Sequence, residues 1–80
     1  MDLLVTVYSK AQCVQCDATK RKLRELDIPF DEIRVDEDLG ALDRIKAMGY
    51  LQAPVVTLSD GQSWSGFRPG KLAIIAEETT

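Results

Sequence analysis

Leu3 to Tyr8 reads Leu-Leu-Val-Thr-Val-Tyr, a nearly continuous apolar run rich in β-branched and aromatic residues. Such a run predicts a strand covered on both faces, hence a central one. Ser9 to Gln12 are a short polar connection, after which Cys16, Ala18 or Thr19, Leu23 and Leu26 recur at helical spacing among Lys20, Arg21, Arg24 and Glu25. The spacing predicts a helix from about Val14 to Leu26. Asp27-Ile28-Pro29 is expected to end it, because the residue before a proline is pushed out of the α region. From Phe30 to Val35 charged positions alternate with Ile33 and Val35, which predicts a second strand.

Asp36, Glu37 and Asp38 suit the positive end of a helix dipole, and Leu39, Leu42, Ile45 and Met48 follow before Gly49 as a stop. A second helix is therefore expected over roughly 38–48. Ala53-Pro54 leads into Val55-Val56-Thr57-Leu58, and Asp60-Gly61 separates that run from Ser63-Trp64-Ser65. An Asp-Gly between two strand-like runs is a strong hairpin signal. Pro69 fits the first turn of a last helix in which Leu72, Ile75 and Ala76 face inward, before a polar end at Glu77 to Thr80. The order is βαβαββα: a parallel pair joined by a right-handed crossover, then a hairpin and a helix. That makes an α/β fold with a four-stranded mixed sheet flanked by three helices.

The chain has 80 residues, enough for a single domain spanning 1–80, and its 45% hydrophobic content fits a globular fold rather than disorder. The first apolar run follows Asp2 and is too short for a signal or membrane segment, so a cytoplasmic protein with no membrane partner is expected. A net charge of −3 offers no global basic field for nucleic acid. The distribution is uneven, however. Residues 10–24 hold Lys10, Lys20, Arg21, Lys22 and Arg24 against Asp17, a local +4 that leaves −7 elsewhere. This can favour a thiolate and steer an acidic partner, or it can be an ordinary solvated helix face.

The basic segment contains Cys13 and Cys16. A CxxC where a strand gives way to a helix puts Cys13 at the helix N-terminus, where free N–H groups and the dipole favour negative charge, with Cys16 one turn on beneath it. Lowering a thiol pKa from about 8.5 to about 7 raises the thiolate to roughly half at neutral pH, for about 2 kcal/mol. On this reading Cys13 attacks and Cys16 resolves the mixed disulfide. Three other readings stand beside it. One is a structural disulfide, which would close only four residues. A zinc site wants about four Cys or His ligands, and this chain has two cysteines and no histidine. The third is a pair of inert buried thiols. CxxC beside a βαβ pattern favours redox chemistry, with no bound metal.

Cys13-Val14-Gln15-Cys16, Ala53-Pro54-Val55 and above all Trp64-Ser65-Gly66-Phe67-Arg68-Pro69 resemble the thioredoxin superfamily and, within it, the NrdH-type redoxins. The likeness spans nearly the whole chain. Glutaredoxins of similar length carry a proline and an aromatic between their cysteines, and a Gly-Gly-containing acidic segment that contributes to binding glutathione. This chain has Val14 and Gln15, then Ser65 to Pro69.

The resemblance implies a thioredoxin fold and a glutaredoxin-like redoxin that donates electrons through a redox-active Cys13–Cys16 disulfide, with no cofactor bound. It implies reduction by thioredoxin reductase, with NADPH used indirectly through that enzyme, and delivery to the large subunit of a class Ib ribonucleotide reductase. A monomer is expected. The matching proline in such folds is cis beside the CxxC, so a cis Ala53–Pro54 bond is expected, with the Ala53 backbone open to an extended substrate; pattern alone equally allows a trans structural proline. Trp64, Ser65, Gly66, Phe67 and Arg68 are expected to shape a partner-facing surface, although on pattern alone Trp64 and Phe67 are packing residues. Lys10 is a candidate for tuning the Cys13 thiolate, with plain solvation the alternative. Two competitors remain: a glutathione-dependent glutaredoxin, and an iron–sulfur or metal-binding CxxC module shared between two chains.

Overall fold

The structure is a computed structural model and describes residues 3–79. Its elements are β1 (Val5–Ser9), α1 (Val14–Glu25), β2 (Asp31–Arg34), α2 (Leu39–Ala47), β3 (Val55–Leu58), β4 (Ser63–Ser65) and α3 (Pro69–Thr79). The sheet runs β2-β1-β3-β4, with β1 parallel to β2 and antiparallel to β3, and β3 antiparallel to β4. This is the expected βαβαββα order and the thioredoxin fold.

The sheet divides the core in two. On one face Val5, Val7, Val56, Leu58 and Trp64 pack with Leu23 of α1 and Leu72 and Ile75 of α3. On the other, Tyr8 and Val55 pack with Ala41 and Ile45 of α2. β1 therefore supplies buried residues to both faces, which is why its sequence is almost unbroken in apolarity. The strand itself begins at Val5 rather than Leu3, and Leu4 lies exposed beyond it.

α2 departs from expectation in its inner face. Ala41 and Ile45 are buried, whereas Leu39 is 69% and Met48 42% exposed. A series stepping by three falls short of a full helical turn by about 60° each time, so its two ends drift to opposite sides of the helix. The i, i+4 pair Ala41 and Ile45 keeps one face instead.

The first two helices end in the same way. After α1 the Asp27 N–H donates to Arg24 O (3.1 Å) and the Ile28 N–H to Leu23 O (2.9 Å). After α2 the Gly49 N–H donates to Lys46 O (2.9 Å) and the Tyr50 N–H to Ile45 O (3.0 Å). These are paired Schellman bonds around a left-handed residue, Asp27 at φ 56 and Gly49 at φ 93. Gly49 is the expected stop. α1 ends where Asp27-Ile28-Pro29 was expected to end it, and the residue that turns the chain is Asp27, in a left-handed conformation.

Candidate active site

β1 ends at Ser9, three residues cross the top of the sheet, and Cys13 becomes the N-cap of α1. Its side chain accepts the Cys16 N–H at 3.1 Å, the role a Ser or Asp oxygen plays at an ordinary N-cap. Cys13 and Cys16 form a disulfide with their Cα atoms 5.2 Å apart. Both cysteines are buried, Cys16 the more deeply: Cys13 is 8% exposed and Cys16 0%. Helical spacing explains the difference, since Cys16 lies on the face that also buries Thr19 and Leu23.

The pairing of β1 with β3 sets Tyr8 opposite Val55 and so brings the preceding residues against the cysteine turn. The Ala53–Pro54 peptide is cis. The Ala53 carbonyl oxygen lies 3.9 Å from Cys13 Sγ. β4 then places the following turn alongside: the Gly66 N–H donates to Pro54 O (2.8 Å) and the Phe67 N–H to Gln15 Oε1 (3.2 Å). Gly66 is left-handed, φ 86, and a Cβ there would sit 3.4 Å from Gln15 Oε1. Ser65 Oγ donates to Gln52 O (3.3 Å), and Arg68 Nε to Ser65 O (3.1 Å).

An ion pair ties the cysteine helix to the sheet. Glu32 of β2 accepts from Lys20 (2.8 Å) and from the buried Ser9 hydroxyl (2.6 Å). Those two bonds, Lys20's first, hold the Glu32 carboxyl below its ordinary value. Lys20 also lies 3.7 Å from Asp17, Lys22 lies 3.9 Å from Glu25, and Arg24 stacks over the Phe30 ring at 5.6 Å. Much of the basic segment is thus locally paired. Arg34 makes two bonds to Asp36, which accepts the Ala11 N–H as well; chiefly through Arg34, Asp36 is lowered to about 2.

The glutaredoxin family model matches residues 5–64. The glutaredoxin-like protein NrdH of Lactococcus lactis strain IL1403 is 47% identical over 73 residues, covering 91% of this chain and 100% of the relative. The chain belongs to the glutaredoxin family, in its NrdH-type branch. The NrdH protein of Escherichia coli K12 is 45% identical over 65 residues, 81% of this chain and 79% of the relative. A solved structure of the E. coli NrdH-redoxin superposes with a TM-score of 0.85 at 41% identity, covering 89% of this chain and 92% of the other. This redoxin is accordingly a thiol–disulfide oxidoreductase, with Cys13–Cys16 as its redox-active disulfide.

The redoxin's remaining candidate residues fall into two groups. Ala53, Pro54, Ser65, Gly66, Phe67 and Arg68 lie on two turns bonded to one another, and Gln15 links them to the cysteine helix. Phe67 is 37% exposed. Trp64 is a correction: it is 5% exposed, packs in the core beneath α1 and α3, and carries the Lys71 ammonium 5.4 Å over its ring. As the middle residue of β4 it points to the buried face, which is the packing role that its alternating neighbours Ser63 and Ser65 signal. Lys10 is exposed and, among the described residues, has no ion-pair partner.

Sequence reasoning missed Gln15, Arg34 and Asp36. Asp36 was expected at the N-terminus of α2, where Asp38 alone acts as cap by accepting the Ala41 N–H (3.1 Å). Among the described residues no group of three or more His, Cys, Asp or Glu is placed to hold a metal ion, and no helix is long and apolar enough to cross a membrane.

Proposed function

We propose that this chain works as a single-domain cytoplasmic dithiol electron carrier, reduced by an NADPH-dependent thioredoxin reductase and reducing the large subunit of a class Ib ribonucleotide reductase. The observation that supports it is the contrast between the two cysteines, Cys13 at the helix N-cap and the less deeply buried of the two, Cys16 fully enclosed. In the reduced protein the N-terminal N–H groups of α1 favour the Cys13 thiolate. It attacks one sulfur of the substrate disulfide, forming a mixed disulfide and expelling the other sulfur as thiolate. Cys16 then gives up its proton and attacks Cys13 Sγ. The Cys13–Cys16 bond forms, the mixed disulfide breaks, and the substrate leaves with two electrons. The reductase returns that electron pair by the reverse exchange.

The Ala53 backbone beside cis-Pro54 is suited to pair with an extended substrate segment, a form of strand addition. The turn from Ser65 to Arg68 replaces the glycine-rich acidic segment of glutathione users, which favours a reductase over glutathione as electron source. The E. coli relative is described as having a thioredoxin-like activity profile, in keeping with this choice.

Coupled NADPH oxidation tests the electron source. Turnover with thioredoxin reductase and little with glutathione plus glutathione reductase is expected; the opposite preference would overturn the assignment. Cys13→Ser is expected to abolish disulfide reduction, and Cys16→Ser to trap a mixed disulfide through Cys13. A Cys13→Ser protein that reduced disulfides at the parental rate would refute the division of labour.

A further inference from the structure

The loop that delivers Cys13 is short and unfavourably wound. Lys10, Ala11 and Gln12 span from β1 to α1, and Gln12 adopts φ 55, a left-handed conformation that a residue with a Cβ avoids unless something holds it. Among the described residues, the hydrogen bond that ties this loop to another part of the chain is the Ala11 N–H to Asp36 Oδ2, 3.2 Å. Asp36 is itself gripped: Arg34 Nε donates to Oδ1 (2.9 Å) and Nη2 to Oδ2 (2.7 Å), the planar two-point geometry of a guanidinium on a carboxylate. The Val35 N–H to Ser9 O bond, 2.9 Å, anchors the Asp36 turn beside the point where the loop leaves β1. Arg34 also faces Glu37 at 3.8 Å.

We propose that Asp36, clamped by Arg34, is a positioning residue for Cys13: by receiving the Ala11 N–H it fixes the left-handed turn and keeps Cys13 Sγ over the N-terminus of α1. The inference rests on Cys13 being the attacking sulfur. Its physical content is a distance. Cys13 Sγ accepts the Cys16 N–H at 3.1 Å, and a loop free to drift lengthens that contact and weakens the N-terminal field at the sulfur. The charge of Asp36 acts in the opposite sense, because a carboxylate near a thiolate disfavours it. Positioning and simple electrostatics therefore give opposite signs when the carboxylate is removed.

The test is iodoacetamide alkylation of the fully reduced 80-residue chain across pH, with the labelled cysteine mapped by mass spectrometry. The parent is expected to label at Cys13. Asp36→Ala is expected to slow that reaction roughly tenfold at pH 7 and raise its midpoint by about one pH unit. Asp36→Asn, which keeps an acceptor oxygen for Ala11, should stay within about threefold of the parent, and Arg34→Gln, which leaves the carboxylate unclamped, should fall between. Asp36→Ala reacting as fast as the parent or faster would overturn the proposal, as would Asp36→Asn falling as far as Asp36→Ala. Thermal unfolding run in parallel guards against a trivial cause: a slowing that merely follows a lower melting temperature also overturns it. A parent that labels at Cys16 would instead refute the reading of Cys13, a separate failure visible before any variant is made.

Discussion

On one flank of Cys13 the Ala11 N–H is received by an exposed carboxylate held by Arg34; on the other, Gly66 and Phe67 are bonded to the Pro54 carbonyl and the Gln15 amide, with no formal charge involved. Each flank contains a left-handed residue, Gln12 on the charged side and Gly66 on the neutral side. The charged flank holds an ordinary residue in an unfavourable conformation and depends on conditions that preserve ionisation. The neutral flank uses a glycine, which meets the same backbone demand without steric cost, and is indifferent to salt. The turn that carries Cys13 is thus supported by two mechanisms that fail under different conditions.

The largest effect is expected from breaking the neutral flank at its glycine. Gly66→Ala puts a Cβ on a φ of 86 and close to Gln15 Oε1, and should cost about 1–2 kcal/mol, read as a lower urea midpoint. Gln15→Ala removes the acceptor of the Phe67 N–H. It should cost about 0.5–1 kcal/mol and speed hydrogen exchange at the Phe67 amide, with no dependence on salt.

Arg34→Gln sharpens the contrast from the other side. Its pair is exposed, so its effect on the urea midpoint should be smaller than that of Gln15→Ala and should vanish as salt is added. The smallest effect is a pH dependence. Asp36 has an ordinary value of 3.8 and a folded value of about 2, so the unfolded chain takes up its proton first as pH falls. The contribution is whole above the ordinary value and is lost between there and about 2. Glu32, also lowered, acts in the same direction. Urea midpoints of Asp36→Asn should decline less steeply than the parent's over that acid range; an identical slope would show that the Arg34 clamp does not carry it.

The elements legible in the sequence were those written in local pattern. Val55 to Leu58 and Ser63 to Ser65 stand where the Asp60-Gly61 turn predicts, and Cys13 begins α1 because a polar connection gives way there to helical spacing. Local pattern misled where several residues could serve equally. Leu39 and Met48 are as apolar as Ile45, and which face of α2 turns inward is set by Tyr8 and Val55 on the sheet face it covers, outside the helix's own pattern. The end of α1 falls at the expected Asp27-Ile28-Pro29 segment, but the device differs: Asp27 tolerates the left-handed region and closes the helix there, ahead of any effect of Pro29.

The site shows the same division. The cysteines announce themselves by spacing, and Trp64 to Pro69 by likeness to a family. The Ala11–Asp36 bond joins residues 25 apart, and it exists only because parallel pairing sets Ser9 beside Arg34. No spacing in the chain encodes it. The Gln15–Phe67 bond spans 52 residues and depends on the β1–β3 and β3–β4 registers. Its signal was present only as an amide between the cysteines where relatives of another type carry an aromatic.

The enclosure of Cys16 also governs traffic. A foreign sulfur approaching from solvent reaches Cys13 ahead of Cys16. In the proposed carrier role one sulfur would therefore open both the charging and the discharging exchange, and the two would have to take turns.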